Sequence, residues 1–382
     1  MKIKYLILAL CLCAFVSYYG VTAQAAQPWW YTMEQGKLLF RKGSYGDALI
    51  TFEDARRQRI AQFSRLEDNF IQFLSIPEVR RLGDSLEYVE WYISDRHENA
   101  AATVLNELYY RVPKNSMNNS VSRALMELDR LKNYPEAEYW LGETYRAEGE
   151  TGLALRQYEK AWSERSLLEI PGFEIEILYK ITEMHRIRGN YQEMEKRANE
   201  IIEGPGVNGL PRDSLWAGSF QGSSNQIRAA MTRILENEGI NRFLTLYRHN
   251  NTDTEKAHRL LGFFYYSSSR YTQAMEHLMF AFLIQNSLLI DEVIRRDYDY
   301  NFSTLENLIA VVQRRPELAA FIEETEYYRT VYYLATALYA SGKTRPALQL
   351  WAFLAGSNNA GEWGNRARRN PSPYIERPLE RF

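Results

Sequence analysis

The chain has 382 residues, of which 46% are hydrophobic and 25% are charged, and its formal net charge is −2. This composition is that of a globular protein and excludes a disordered, collagen-like or multi-pass membrane chain. The balance of 46 basic against 48 acidic side chains gives no overall attraction to nucleic acid, so no nucleic-acid partner is expected.

Residues 1–25 have the pattern of a secretory signal peptide. Lys2 and Lys4 precede an apolar stretch that begins at Tyr5, and Ala23 and Ala25 supply the small residues after which signal peptidases cut. The apolar stretch is about a dozen residues long, short of the roughly 20 that span a bilayer. We therefore expect export, with the bacterial periplasm as the destination and retention as a signal anchor as the alternative.

Both cysteines of the chain, Cys11 and Cys13, lie inside this leader. Cleavage after Ala25 would leave a mature chain without thiols, which excludes disulfides, zinc–thiolate sites and cysteine nucleophiles. A second alternative makes one of these cysteines the acylated first residue of a lipoprotein, although leucine then precedes it where a small residue is usual. The absence of mature cysteines favours a bacterial envelope protein over a eukaryotic secreted one.

After the leader, apolar residues recur at helical spacing and sustained strand alternation is absent, which predicts a nearly all-α mature protein. The clearest pattern, in residues 139–161, consists of small and large residues at fixed spacing: Leu141, Gly142, Tyr145, Gly149, Ala154, Tyr158 and Ala161. Small residues where two antiparallel helices cross let the helices approach, and large residues fill the gaps beside them. Gly149 suits the intervening turn because it adopts a positive φ at little steric cost.

This spacing resembles the tetratricopeptide repeat, which implies helix-turn-helix hairpins stacked into an α-solenoid. The same register fits four further segments, the second of them degenerate: Gly36, Leu39, Gly43, Tyr45, Ala48, Phe52 and Ala55; Ile181, His185, Gly189, Tyr191 and Ala198; Leu261, Gly262, Tyr265, Tyr271, Ala274 and Ala281; Leu334, Ala335, Leu338, Gly342, Ala347 and Trp351. The segments are unevenly spaced, so the solenoid is expected to be partly degenerate. Helical stretches without the signature, at 60–112, 226–248 and 303–326, are interpreted as diverged helix pairs.

The predicted layout follows from these patterns: 1–25 signal peptide, 26–203 N-terminal repeat array, 204–225 loop, 226–356 C-terminal array, 357–382 tail. The loop holds five glycines and two prolines between Glu203 and Asn225, enough to interrupt a helix. The tail carries Arg366, Arg368, Arg369, Arg377 and Arg381 with three prolines and is expected to be extended and basic.

The sequence offers no catalytic or metal-binding constellation. Gly204, Gly206 and Gly209 match G-x-G-x-x-G, but they follow a predicted helix rather than a strand, and Pro205 occupies the tight turn. The five histidines show no metal-ligand spacing and are interpreted as surface or packing residues. We therefore expect a protein that is not an enzyme and holds no cofactor or metal.

In the tetratricopeptide family, positions 2, 5, 9 and 12 of each first helix commonly line the concave face. Transferring that rule gives a groove of aromatic and basic side chains: Trp30, Met33, Lys37, Phe40, Tyr139, Arg146, Tyr179, Arg186, Lys256, Arg259, Phe263, Tyr266, Arg329, Tyr332 and Tyr339. The remaining positions hold Glu136, Glu143, Glu176, Glu183 and Thr336. Aromatic and Arg side chains dominate interface energetics. The family's carboxylate clamp, with Asn at position 9, is absent.

The resemblance implies an exported scaffold or adaptor that binds envelope proteins through this groove. Two alternatives stay open: a structural subunit of an envelope assembly complex, and a solenoid-type enzyme acting on cell-wall polymer. The basic tail has two interpretations of its own, as an arm that weakly contacts the membrane surface or as a segment that folds back on the groove.

Overall fold

The computed structural model describes residues 27–96, 98–112, 119–204, 224–249 and 251–369. These residues form helices joined by turns, with no β-strand among them, which confirms the all-α prediction. The leader and most of the predicted Gly/Pro loop lie outside the described residues. The chain divides into two compact units, one up to Ile177 and one from Leu178 onward.

Within its described residues, the first unit contains eight α-helices and the beginning of a ninth: α1 (Trp29–Arg41), α2 (Tyr45–Leu74), α3 (Pro77–Arg80), α4 (Leu86–Arg96), α5 (Asn99–Arg111), α6 (Val121–Leu131), α7 (Pro135–Ala147), α8 (Thr151–Ser163) and α9 (Phe173–Ile187). Helices α1 and α2 form one antiparallel hairpin, and α7 and α8 form another. The first part of α2 packs against α7, so the two hairpins are neighbours although about sixty residues separate them.

The second part of α2 organises the unpatterned helices between these hairpins. At 30 residues, α2 is more than twice as long as α1. Its Phe63, Phe70 and Phe73 enter a core that the apolar faces of α3 to α6 complete. The stretch at 60–112 is therefore a small helical cluster built on the extended end of a hairpin helix.

The second unit continues α9 and adds the following helices: α10 (Tyr191–Glu203), α11 (Ser224–Asn237), α12 (Ile240–Leu246), α13 (Thr252–Ser267), α14 (Tyr271–Arg296), α15 (Leu305–Val312), α16 (Pro316–Glu324), α17 (Tyr327–Ala340), α18 (Thr344–Gly356) and α19 (Gly361–Arg369). Helix α10 packs against α13, α13 pairs with α14, α14 packs against α17, and α17 pairs with α18. As in the first unit, the second helix of one hairpin contacts the first helix of the next.

Five hairpins share one turn geometry, in which three residues join the helices and the middle residue has a positive φ: Gly43 (79°), Gly149 (84°), Gly189 (72°), Ser269 (59°) and Gly342 (80°). In each turn the last residue donates its backbone N–H to the carbonyl five residues earlier, as Glu150 does to Tyr145 at 2.8 Å. This hydrogen bond is the outer bond of a Schellman motif. The turn predicted at Gly149 is confirmed.

The helix crossings depend on small residues, as the spacing predicts. A Cβ built on Gly36, Gly142 or Gly262 would lie 2.5 to 2.6 Å from the nearest side-chain atom of the residue sixteen positions later. Those residues are Phe52, Tyr158 and Leu278. The alanines at the crossing, Ala48, Ala55, Ala154, Ala161, Ala274 and Ala281, have no exposed surface.

The structure differs from the sequence prediction at two places. The chain divides at Ile177, within α9, rather than at the Gly/Pro loop, because α10 packs against α13 and so belongs with the helices that follow it. The tail is helical over Gly361–Arg369, where α19 packs on α17 and α18. In this helix Gly364 and Ala367 are buried and Arg368 and Arg369 are exposed. The high arginine content of the segment hides this amphipathic pattern in the sequence. Residues 370–382 lie outside the described part.

Helix α14 is the one described helix with the length and apolarity of a membrane span, and 72% of its most apolar window is buried inside the protein. Its apolar side chains pack against α13 and α17.

Candidate functional site

In the first unit, the predicted groove residues of α1 are only partly accessible. Trp30 is 56% exposed, whereas Met33 is buried in the hairpin core. Lys37 pairs with Glu34 at 2.6 Å, and its Nζ lies 5.8 Å from the centroid of the Trp140 ring. Phe40 packs edge-on against the same ring. Trp140, on α7, is therefore the shared contact of this surface, although the position rule does not select it.

On α7 the predicted aromatic residue is part of the core. Tyr139 is 6% exposed and lies 4.7 Å, centroid to centroid, from Phe173 and 5.8 Å from Tyr158. Arg146 remains accessible and pairs with Glu143 at 2.8 Å. The predictions that Met33 and Tyr139 line an open groove are wrong, because neighbouring side chains cover both.

A buried arginine connects the helices of the first unit. Arg59 is 1% exposed, and its guanidinium carbon lies 4.7 Å from the Trp29 centroid and 4.6 Å from that of Tyr134. Its Nε donates to the Leu131 carbonyl at 3.1 Å, and its Nη1 lies 3.7 Å from the Glu169 carboxylate. Burial lowers the pKa of Arg59. Sequence pattern gave no sign of this residue, since Arg59 stands in an otherwise charged stretch of α2.

Two glutamates accompany Arg59. Arg111 also pairs with Glu169, so one exposed carboxylate joins two guanidinium groups. Glu136 is 9% exposed and accepts the backbone N–H of Glu169 at 2.9 Å. Burial raises the pKa of Glu136. The arrangement binds the connection after α8 to α2, α5 and α7, and we interpret it as a structural network.

In the second unit, predicted residues from three helices form a continuous row on one face. The Nζ of Lys256, on α13, lies 5.4 Å from the centroid of Tyr179, on α9. One turn along α13, Arg259 pairs with Glu326, the residue that immediately precedes α17. The guanidinium carbon of Arg329 lies 4.5 Å from the Phe263 centroid. We call this row, Tyr179, Lys256, Arg259, Phe263 and Arg329, the basic aromatic row.

Glu326 forms ion pairs with two arginines of the basic aromatic row. Its carboxylate pairs with Arg259 and, at 2.6 Å, with Arg329. Its backbone has φ 49° and ψ 40°, the left-handed region that costs a non-glycine residue energy. The Glu326 carboxylate thus lies between two guanidinium groups, and these ion pairs offset the cost of the strained backbone. Sequence reasoning missed Glu326, and a charged residue just before a helix carries no distinctive signal.

Arg259 is fixed from both sides. Its Nε donates to Glu255 Oε1 at 3.0 Å, and Gln285 Nε2 donates to the same oxygen at 2.7 Å. Burial raises the pKa of Glu255. Burial alone would lower the pKa of Arg259, but the Glu255 and Glu326 carboxylates outweigh it and raise that pKa. Arg259 is thus a charged, immobile member of the row.

Three predicted groove residues of the second unit are buried, one of them the row member Phe263. Phe263 is 8% exposed under Arg329, Tyr266 packs against Tyr271 and Tyr333, and Tyr332 is covered by Trp363 of α19. Tyr266 and Tyr332 are therefore core residues, which corrects the prediction. Tyr339 packs on Trp351, and Arg186 is half-buried in the last turn of α9.

Beside the basic aromatic row lies a cavity of about 560 Å³. Its walls come from α16, the start of α17 and the start of α19, and they include Ile322, Tyr328, Arg329 and Trp363. Gln313 Nε2 donates to the Tyr328 hydroxyl at 3.1 Å. Trp363 was missed because it lies in the segment predicted to be an extended tail.

No group of three or more His, Cys, Asp or Glu residues within the described ranges is placed to hold a metal ion. His258 and His277 form a pair with 3.0 Å between their Nδ1 atoms, and His258 stacks on Phe280. His258 is 1% exposed, as expected for a packing histidine. His97 lies outside the described residues.

Comparison with known proteins gives two similar chains and no matching family model. An uncharacterized protein of Treponema pallidum (strain Nichols) is 24% identical over 338 residues, 88% of this chain and 88% of its own length. An uncharacterized protein of Borreliella burgdorferi (strain ATCC 35210 / DSM 4680 / CIP 102532 / B31) is 24% identical over 242 residues, 59% of this chain and 72% of its own length.

Proposed function

We propose that this protein is an exported, non-enzymatic adaptor of the bacterial cell envelope, built from tetratricopeptide-like hairpins arranged as a partly degenerate α-solenoid. Support for the repeat comes from the five equal turns, from the glycine crossings sixteen residues before Phe52, Tyr158 and Leu278, and from the order in which the hairpins contact one another. Such hairpin stacks are a common framework for protein binding.

The basic aromatic row carries the proposal. Its members come from the first helices of three successive hairpins, the positions at which the tetratricopeptide family binds partners. The stacking of Lys256 on Tyr179 and of Arg329 on Phe263 fixes long side chains before a partner arrives, which reduces the entropy lost on binding. An interface of fixed aromatic and Arg side chains is the kind that concentrates binding energy.

The charges of the row favour an acidic partner segment. Lys256, Arg259 and Arg329 contribute three cations, and Glu326 offsets one of them. Glu255 lies beneath the row at 4% exposure and pairs with Arg259 at 3.0 Å, so the three cations exceed the two carboxylates by one. A partner carboxylate would meet a positive surface here although the whole chain is nearly neutral.

The test uses Lys256, because it is an exposed member of the row and its replacement leaves the buried core unchanged. We expect Lys256→Glu to reduce recovery of crosslinked envelope proteins at least threefold in intact cells. Lys196→Glu is the matched control, because Lys196 is an exposed lysine on α10, the second helix of a hairpin. Equal recovery with both variants would remove the row from the binding site.

Export rests on the leader at residues 1–25 and on the bacterial origin of both relatives. We expect N-terminal sequencing of the protein from cell envelopes to begin at Ala26. A protein found in the cytosol with Met1 intact would contradict the location and leave the binding surface to be judged by the crosslinking experiment.

A stable structural subunit is the second candidate, and exposed aromatic residues of the first unit favour it. Trp91 on α4 is 62% exposed and Tyr110 on α5 is 85% exposed. Large exposed aromatics mark interaction sites. Co-purification of the chain in stoichiometric particles would support this candidate over a transient adaptor.

A further inference from the structure

We infer that the buried Arg59 and the neighbouring Arg111 form a binding site for the acidic side chain of a partner peptide segment, and that Glu169 occupies this site until the partner replaces it. All of the residues concerned belong to the first unit, so the site does not depend on the basic aromatic row.

The two guanidinium groups are fixed by contacts that do not involve Glu169. Arg59, on α2, lies against the rings of Trp29 and Tyr134, with 4.7 and 4.6 Å from its guanidinium carbon to the two centroids. Arg111, on α5, donates from Nε to Glu107 at 2.9 Å, and its guanidinium carbon lies 5.5 Å from the Trp29 centroid. Because both cations are already ordered, little of the entropy cost of binding a carboxylate falls on the site.

Glu169 contacts both cations but leaves Arg59 incompletely bonded. Its carboxylate pairs with Arg111, whereas Arg59 Nη1 lies 3.7 Å from Glu169 Oε1, which is beyond hydrogen-bond distance. That Nη1 is buried and has no hydrogen-bond partner among the described residues. An unsatisfied buried donor costs free energy, so a carboxylate that reaches both guanidinium groups would bind better than Glu169 does.

The position of Glu169 in the chain accounts for the incomplete contact. Glu169 lies in the connection after α8, where residues 169–172 are exposed. Its backbone N–H donates to Glu136 Oε1 at 2.9 Å, which fixes its main chain against α7 and limits how far its side chain extends toward α2. A side chain from another molecule is not restricted in this way.

Glu136 indicates that the ligand is a peptide rather than a simple anion. Its Oε2 is buried and, like Arg59 Nη1, has no hydrogen-bond partner within the described ranges. A peptide carries both N–H and C=O groups, so it can satisfy this oxygen whether or not Glu136 is protonated. An acidic residue in a peptide also repeats the arrangement of Glu169, with the carboxylate on the arginines and the backbone N–H on Glu136.

The charges restrict the ligand to an acidic side chain. When one carboxylate replaces another, the net charge beside Arg59 and Arg111 stays the same, whereas a neutral side chain would leave a buried cation without its counter-ion. Burial and the charge of Arg111 lower the pKa of Arg59. A carboxylate closer to Arg59 than Glu169 would stabilise the charged guanidinium.

The experiment measures by titration calorimetry how the full chain binds a short amidated alanine peptide with one central glutamate. Glu169→Ala removes the internal competitor, so this variant should bind the peptide about tenfold more tightly than the unmodified chain. Asp54→Ala is the matched control, because Asp54 is an exposed carboxylate that pairs with the exposed Arg57 on α2. This control should leave the affinity unchanged.

Glu169→Gln, which keeps the backbone N–H and the side-chain size, provides a second variant with the same expected gain if Glu169→Ala proves unstable. Adding Arg111→Gln to either variant should abolish the gain. Two further peptides, one with glutamine at the centre and one with glutamine and a free C-terminal carboxylate, should bind at least about tenfold more weakly than the glutamate peptide. No gain on replacing Glu169, an equal gain in Asp54→Ala, or equal binding of either glutamine peptide would each overturn the inference.

Discussion

Gly142 and Tyr158 face each other across the crossing of α7 and α8, so closely that a Cβ on Gly142 would lie 2.6 Å from the tyrosine ring. Tyr158 is fully buried and donates its hydroxyl hydrogen to Glu143 at 2.6 Å, so the ring has little freedom to move. The missing side chain of Gly142 is therefore part of the packing of this hairpin.

Gly142→Ala should destabilise the protein. Overpacking costs about 1–3 kcal/mol, and the better helix propensity of alanine returns up to about 1 kcal/mol. We expect the free energy of unfolding, measured in urea, to fall by up to about 2 kcal/mol. The control is Gly152→Ala on α8, where a Cβ meets nothing within 4 Å, and this variant should gain about 0.5–1 kcal/mol. Equal effects of the two substitutions would contradict the crossing.

Ser269→Gly should stabilise the α13–α14 turn. Ser269 has φ 59°, and four of the five equivalent turns hold glycine at this position. Relief of the left-handed strain is worth up to about 1 kcal/mol. Thermal melting would show the gain, and Ser268→Gly, at φ −87°, should show none. Gly149→Ala, the reverse exchange in another hairpin, should lower the free energy of unfolding by about 1 kcal/mol.

Arg59→Lys should be destabilising although it conserves charge. Lysine cannot stack a planar group between Trp29 and Tyr134 while donating to the Leu131 carbonyl. Loss of a buried hydrogen bond from a charged group costs about 1.5–3 kcal/mol. Arg57→Lys, two residues away and 69% exposed, should be neutral in the same urea titration. A neutral Arg59→Lys variant would show that the stacking contributes nothing.

Glu136→Gln should flatten the pH dependence of stability. Burial raises the pKa of Glu136 above its ordinary value of 4.5, so the folded state holds this proton more strongly than the unfolded state. Its contribution is complete below pH 4.5 and is lost as the pH rises through the folded-state pKa. Glutamine still accepts the Glu169 N–H but does not titrate.

Unfolding titrations between pH 4.5 and neutrality would measure this difference against Glu159→Gln, an exposed substitution on α8. Burial also raises the pKa of Glu255, so the Glu136→Gln variant should retain part of the dependence of stability on pH. A slope identical to that of the unmodified protein would assign Glu136 an ordinary pKa.

The hairpins could be predicted from sequence because their determinants are local. Gly149, Ala154 and Tyr158 lie within one short segment, and their spacing alone fixes turn and crossing. The cluster on the second part of α2 could not be predicted in the same way. Phe63, Phe70 and Phe73 pack on helices whose sequences are amphipathic but carry no specific spacing that identifies their partners.

The site was predicted in part, for a related reason. The position rule found Lys256, Arg259 and Arg329, which extend from first helices, and the structure brings them together. It also selected Tyr139 and Tyr332, because it counts positions on one helix and takes no account of what covers them. Phe173 and Trp363 cover these rings from segments distant in sequence.

The common turn has an evolutionary consequence. One left-handed residue, one small residue at the crossing and three buried positions define each hairpin, so most other positions can drift without loss of the backbone geometry. Divergence should therefore be rapid at solvent-facing sites and slow at these few. A relative that keeps about one residue in four, as the Treponema pallidum protein does, has room to preserve every turn and crossing while acquiring a different binding surface.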